Sequence, residues 1–414
     1  MSESPPHVLI VGAGHAGGTA AALLRQYGFA GPITLVGEEP IPPYQRPPLS
    51  KAWLKGEADA DALTLKPESF YAEHDIDLRM GVKATAIDLA ARTVTLEGGD
   101  TLAYDILIIA TGARARRLSI PGAELEGVLS LRSAADAELL KASLGPGRRL
   151  AVIGGGYIGL EAAASARALG SDVVVIEREA NILARVAKEP LASFFADYHK
   201  TRGVSFEVSA KVEAFEGIAG HITGVRLGDG RTIRCDVALI GVGLARNDAL
   251  GVAAGLDCSS GPQGGVIVDE NARTSDPNVF AIGDVTHRPM PHYGGRMHGL
   301  ESVANALEQA KQAASMIAGR PAAPPEVTWN WSDQYDLKLQ MAGWPFDVDD
   351  MLVRGDPKTA KFAVFHLNGD VIQAVEAVNA PAEFMGGKQL IASRRPIARE
   401  RLADPSISMK EVAA

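Results

Sequence analysis

Two glycine clusters carry the most legible chemistry in this chain, Gly12-Ala13-Gly14-His15-Ala16-Gly17 and Gly154-Gly155-Gly156-Tyr157-Ile158-Gly159. In such a G-x-G-x-x-G turn the first glycine makes the bend, the second lets backbone approach a pyrophosphate, and the third lets helix pack on strand. The helix N-terminus beyond it attracts the negative charge. The strand after each cluster ends at an acid, Glu38 and Glu177, where a carboxylate accepts hydrogen bonds from a ribose. A third signature, Thr274-Ser275-Asp276-Pro277-Asn278-Val279-Phe280-Ala281-Ile282-Gly283-Asp284, also ends a buried strand on an acid. An aspartate there suits a polyol hydroxyl, which FAD has in its ribitol and NAD lacks. Two dinucleotides on one chain imply electrons passing between them, so the expected chemistry is redox.

The elements that must position these residues repeat. Residues 7–11 form a short apolar run fit for a buried parallel strand, and the helix pattern 17–27 is rich in Ala and Leu and stops at Gly28. The next strand covers 32–36. The second unit repeats the plan with a strand at 150–153, a helix to Gly170 and a strand at 172–176. Each unit then predicts a hairpin, with strands at 92–96 and 102–104 in the first and at 222–227 and 232–234 in the second. The hairpins feed buried strands that close at Ala110-Thr111-Gly112 and Gly241-Val242-Gly243. A helix over 301–317 ends at Gly319, and Pro321 and Pro324-Pro325 mark a linker. Beyond it, strands at 327–331, 338–342, 362–367 and 371–378 and a helix near 382–393 predict a small antiparallel sheet. The fold expected is α/β, with two Rossmann-like dinucleotide-binding domains and a C-terminal α+β interface domain. The boundaries read as 1–113 with 245–325, then 114–244, then 326–414.

Composition limits the setting. At 414 residues the chain is long for one core. A formal charge of −9 argues against a general nucleic-acid binder. No apolar run reaches the length of a membrane span, and the N-terminus enters a strand without a secretory pattern, which reads as a cytoplasmic protein. Cys235 and Cys258 are the only cysteines and lack a neighbouring Cys or His pair, so no metal site and no disulfide framework is expected.

Four further stretches, Pro47-Pro48-Leu49-Ser50-Lys51, the second fingerprint continued through Leu160-Glu161, Glu301-Ser302-Val303-Ala304-Asn305-Ala306, and Trp331-Ser332-Asp333-Gln334-Tyr335, make the chain recognisable. Over nearly its whole length it resembles the two-dinucleotide-binding-domain flavoproteins. Within them it is similar to the NADH-dependent ferredoxin reductases of bacterial oxygenase systems, the putidaredoxin reductase type. The resemblance implies a monomer with FAD on the first unit, NADH on the second, and a C-terminal domain covering the flavin. Electrons would leave singly for a two-iron two-sulfur ferredoxin that serves an oxygenase. It implies Gly12, Gly14, His15, Ala16, Glu38, Arg46, Lys51, Ala84, Ala110, Thr111, Gly112, Arg132, Gly283, Asp284, Val303 and Trp331 at FAD. At NAD it implies Gly154, Gly156, Tyr157, Ile158, Gly159, Glu177, Arg178, Gly241 and Gly243. Lys51 and Glu161 would pair beside the flavin's hydride-accepting nitrogen, and Tyr157 would lie over the nicotinamide pocket and move aside for NADH. The helix starting near Glu301 would aim its positive end at the flavin's pyrimidine edge.

Three choices remain to be read from the residues. A carboxylate at Glu177 bonds the ribose diol and repels a 2′-phosphate, favouring NADH over NADPH, although Arg178 beside it could accommodate that phosphate. Relatives that reduce disulfides carry a redox cysteine pair after the first unit, where this chain has Tyr44-Gln45-Arg46-Pro47-Pro48. Reduced flavin must therefore deliver electrons directly outside. The alternatives to a ferredoxin are a small acceptor such as a quinone or dioxygen, or a signalling flavoprotein, which the acidic balance disfavours. An acidic ferredoxin requires a local basic surface, for which Arg296, Lys311 and Lys338 are the candidates, with an apolar contact around Trp331 as the other possibility.

Overall fold

A computed structural model describes residues 5–184, 189–261 and 264–412. The first sheet has five parallel strands, in the order Val279–Ala281, Ile106–Ile109, Val8–Val11, Ile33–Gly37 and Ile76–Met80. The continuous apolar runs make sense because both faces are covered. Val8 and Ile10 enter one core with the helices, and Leu9 and Val11 enter the opposite core beneath the hairpin Thr93–Leu96 and Thr101–Ala103. The strand before Gly283-Asp284 pairs with Leu107, Ile108 and Ile109, so the late signature completes the first sheet rather than the second.

On one face of this sheet the helices His15–Gln26 and Val303–Ile317 pack together through Ala16, Ala20, Ala21, Ala306, Ala310 and Ala313. Small residues at these positions let the two helix backbones approach closely. Both helices start at a different residue from the expectation. The first begins at His15, with Gly14 as its N-cap. The other begins at Val303 because the Ser302 hydroxyl caps it, accepting from the Asn305 amide, which leaves Glu301 outside the helix.

The second sheet repeats the design in the order Val204–Glu207, Asp172–Ile176, Arg149–Ile153, Val237–Ile240 and Val128–Leu129. Its helix Tyr157–Ala168 follows the second fingerprint, and its hairpin becomes three strands, Val212–Ile218, His221–Leu227 and Thr232–Arg234. Ala113–Ala115 and Leu244–Arg246 pair antiparallel along the two segments that connect the first sheet with the second.

The C-terminal segment is a five-stranded antiparallel sheet in the order Trp329–Gln334, Leu337–Gly343, Val371–Val378, Lys361–Asn368 and Asp350–Asp356, backed by the helix Pro381–Ser393. One face, with Leu337, Leu339, Met341, Phe362 and Val364, shares a core with the second unit and with Leu49 and Leu54 of the proline-rich loop. The other face, with Ala363, Phe365, Val375 and Ala377, packs on its own helix through Phe384 and Ile391. The strand Asp350–Asp356 was not expected, because its buried side chain is an arginine. Arg354 is 3% exposed and donates to the carbonyls of Leu402, Asp404 and Ile407. No described helix is long and apolar enough to cross a membrane.

Candidate functional site

Each fingerprint forms an open cradle for steric reasons. Gly12 has φ +115°, and a Cβ there would fall 2.2 Å from the Ala110 carbonyl oxygen, while one on Gly17 would fall 1.9 Å from the Gly12 oxygen. Gly14, between them, faces open space. The second fingerprint has the same arrangement: a Cβ on Gly154 (φ +103°) would meet the Gly241 oxygen at 2.5 Å, one on Gly159 would meet the Gly154 oxygen at 2.4 Å, and Gly156 is open. Both helices start at these glycines without a side-chain cap, leaving backbone amides for an anion. The cradles therefore fit two pyrophosphates.

Around the first cradle, Arg132 Nη2 lies 2.7 Å from Asp284 Oδ2, and the Gly283 amide donates to Gln309 Oε1 at 2.8 Å. Arg132 also donates to the Ala113 carbonyl, which follows Thr111-Gly112, and Thr111 Oγ1 donates to the Asn247 carbonyl. Arg46 is anchored by Glu39 at 2.6 Å and by the Arg132 carbonyl at 2.5 Å. His15 Nδ1 is buried without a partner among the described residues, and burial lowers the pKa of its ring, with Asp284 opposing the shift. A buried polar atom of this kind fits a bound group. Val303 opens its helix, and Ala84 sits half-buried in the strand Ala84–Asp88. Glu38 is largely exposed, and its carboxylate lies 3.0 Å from Lys83.

Around the second cradle, Glu177 turns back onto the fingerprint. Its two oxygens accept from the amides of Gly155 at 2.7 Å and Glu179 at 2.8 Å. Arg178 points into solvent and pairs with Glu179. Ile158 is exposed, whereas the Tyr157 hydroxyl is buried with no partner among the described residues. Burial, with the Glu376 carboxylate nearby, raises the Tyr157 pKa well above the ordinary phenol value.

A buried carboxylate joins the helix after the second fingerprint to the first unit's proline-rich loop. Glu161, 4% exposed on the helix Tyr157–Ala168, accepts from Lys51 Nζ at 2.6 Å, Ser50 Oγ at 2.5 Å and Ser332 Oγ at 2.7 Å. The short turn Pro47–Ser50 sets Ser50 and Lys51 side by side, and Ser165 fixes it by donating to the Ser50 carbonyl at 2.7 Å. The family resemblance implies the pairing of Lys51 with Glu161 but not the part of Ser50 and Ser332, although both lie inside the motifs that carry it. Trp331 alternates to the other face of its strand and stacks on Trp329 with ring centroids 5.6 Å apart.

The three basic candidates for docking do not stand as free charges. Lys311 pairs with Glu326 at 2.9 Å, Arg296 with Asp347 at 3.0 Å, and Lys338 with Asp333 at 4.0 Å. The expectation of a basic surface built from them is corrected accordingly: neighbouring carboxylates offset each charge. Both cysteines are free thiols, and burial raises their pKa, that of Cys235 to about 12. No group of three or more metal-binding side chains occurs among the described residues.

Residues 6–310 match the pyridine nucleotide-disulphide oxidoreductase family, and 329–413 match the reductase C-terminal family. The chain is 50% identical, over 98% of both sequences, to the probable ferredoxin reductase CtmF of Castellaniella defragrans. It is 38% identical to putidaredoxin reductase CamA of Pseudomonas putida, over 99% of this chain and 97% of that one. Among solved structures, the covalent putidaredoxin reductase–putidaredoxin complex superposes with a TM-score of 0.96 at 38% identity, covering 99% of each chain. A ferredoxin reductase from Rhodopseudomonas palustris superposes at 0.93 with 37% identity, covering 99% of this chain and 100% of that one.

Proposed function

We propose that this chain, which belongs to the pyridine nucleotide-disulphide oxidoreductase family, is a ferredoxin reductase that uses FAD to carry electrons from NADH to a ferredoxin. The observation that carries this reading is the Lys51–Glu161 ion pair, which joins the loop of the first unit to the helix that follows the second pyrophosphate cradle, in a chain that has no cysteine pair. FAD, when bound, accepts a hydride as two electrons and can release them one at a time. Cys235 and Cys258 are both free thiols, so the chain has no disulfide of its own to reduce. Relatives named as ferredoxin reductases support the choice of acceptor.

The chain's own residues have distinct tasks. Gly12, Gly14, the His15 helix and Asp284 with Arg132 hold FAD, and Gly154, Gly156 and Glu177 hold NADH. Lys51 presents a positive charge where the flavin gains electrons, and Glu161 keeps that ammonium in place. Tyr157, whose hydroxyl is buried at the head of the second fingerprint's helix, would cover the nicotinamide position and would have to turn aside for NADH to bind. We assign 1–113 with 245–325 to FAD, 114–244 to NAD and 326–414 to the interface domain. The pairing of Val279–Ala281 with Ile106–Ile109 supports the discontinuous FAD unit. The acceptor is taken to be a two-iron two-sulfur ferredoxin serving an oxygenase, and the protein a cytoplasmic monomer.

The test is direct. Purified chain should be yellow, NADH should bleach it without oxygen, and added two-iron two-sulfur ferredoxin should be reduced far faster than NADH is consumed in air. NADH consumption that is equal with and without ferredoxin would favour a small acceptor instead.

A further inference from the structure

The polar contacts continue behind Glu161. Ser332 Oγ, which donates to Glu161, accepts from Gln334 Nε2 at 3.0 Å. Gln334 Oε1 lies 2.8 Å from His199 Nε2, and Tyr335 Oη lies 3.1 Å from His199 Nδ1. Ser332, Gln334 and His199 are each 0% exposed. An amide oxygen can only accept, so the His199 proton sits on Nε2, and Nδ1 is left to accept from the tyrosine. Every donor in the row therefore points the same way: Tyr335 to His199, His199 to Gln334, Gln334 to Ser332, and Ser332 to Glu161.

Three further observations set this row apart from ordinary satisfied polar groups. Tyr335 adopts φ 57° in the turn between Trp329–Gln334 and Leu337–Gly343, a conformation rare for a bulky residue, and its hydroxyl is held on His199. Burial lowers the His199 pKa to about 4, so the ring stays neutral near pH 7, as the row requires. The row also joins three parts of the chain: His199 lies on the helix Leu191–Lys200 of the second unit, Ser332 and Gln334 on the C-terminal sheet, and Lys51 on the first unit's loop. Because a neutral amide does not hand on protons, the row is not a proton wire. Its aligned dipoles instead reinforce one another toward the carboxylate.

We propose that Ser332, Gln334 and His199 are positioning residues for the Lys51–Glu161 pair, an aligned row through which the C-terminal sheet fixes where the ammonium stands. The proposal rests on the reading above that Lys51 acts at the flavin's reactive edge. It makes the C-terminal sheet part of the reducing site as well as a cover for it.

The first measurement is independent of turnover. In full-length, FAD-loaded protein with 15N-labelled histidine, His199 should be neutral with its proton on Nε2 between pH 6 and 8. In Gln334→Leu that proton should exchange faster with solvent. The second is stopped-flow reduction by NADH. Ser332→Ala should lower the limiting rate about ten-fold, the scale of one lost hydrogen bond to a charge, with FAD retained and NADH affinity nearly unchanged. Ser332→Thr, which keeps the hydroxyl, should recover most of that rate. A proton on Nδ1 in the unsubstituted protein, or wild-type reduction by Ser332→Ala, overturns the proposal, as does equal slowing by Ala and Thr. If Ser332→Ala does not fold, Gln334→Leu takes its place in the rate measurement: a limiting rate about three-fold lower supports the row, and a wild-type rate overturns it. Unsubstituted protein whose bound flavin NADH does not reduce would instead refute the function proposed above, and the histidine spectrum would still judge the row.

Discussion

Lys51 and Glu161 are 110 residues apart in sequence, yet they meet at 2.6 Å, with the carboxylate buried and the ammonium partly so. Lys51→Met keeps most of the side-chain volume and removes the charge. Stopped-flow reduction by NADH should therefore slow by about ten-fold or more while FAD stays bound, since the lost contribution is electrostatic orientation at the reacting centre. A folded, flavin-loaded Lys51→Met protein with the wild-type rate would give the lysine a structural part only. Glu177 invites a different test, because its carboxylate already accepts two backbone amides, one of them from the fingerprint itself. Glu177→Ala should narrow the preference for NADH over NADPH by about 1–3 kcal/mol, read as the ratio of kcat/KM values. It should also lower Tm, because the Gly155 amide loses its acceptor. A lower Tm with an unchanged ratio would confine Glu177 to shaping the turn.

At the scale of elements, the edge strand Asp350–Asp356 shows what periodicity cannot find. Its inward side chain is charged, and Arg354 spends its donors on three carbonyls near the C-terminus and on Glu383. Arg354→Met should cost about 2–4 kcal/mol in urea unfolding and open the last helical segments to proteolysis, because those acceptors lose their donor. Unchanged stability would mean that water replaces the arginine readily. The parallel strands were legible for the opposite reason: Val8 to Val11 and Leu150 to Ile153 are apolar on both faces because both faces are buried. The glycines of both fingerprints were legible because backbone packs where a Cβ would stand. Ser332 was not, since its partner Glu161 lies 171 residues away. His199 left no local signal at all, because a single histidine on an amphipathic helix has no pattern until Gln334 and Tyr335 are seen against it.

Across the whole molecule, burial of neutral histidines ties stability to pH. His199 lies where the second unit meets the C-terminal sheet, and His298 packs against Trp344 with ring centroids 4.4 Å apart. Burial is the largest cause lowering each pKa, to about 4, from the ordinary histidine value of 6.5. For His199, Arg202 adds to that lowering and the Gln334 contact opposes it; for His298, His287, Arg246 and Arg296 add to it. Because the folded value lies below the unfolded one, the unfolded chain binds more protons on acidification. The stability each ring contributes is thus complete above about pH 6.5 and is lost as pH falls toward 4, roughly 3 kcal/mol at the limit for the buried His199 and less for His298, which solvent partly screens. Tm should decline across that window, and His199→Gln, which does not titrate there, should flatten the decline relative to its own value at pH 7. The comparison is between slopes, so a uniformly lower Tm in the variant does not confuse it. Parallel curves for the two proteins between pH 6.5 and 4 would mean that His199 gains its proton without leaving the fold, and that the contact between the second unit and the C-terminal sheet yields before the molecule unfolds.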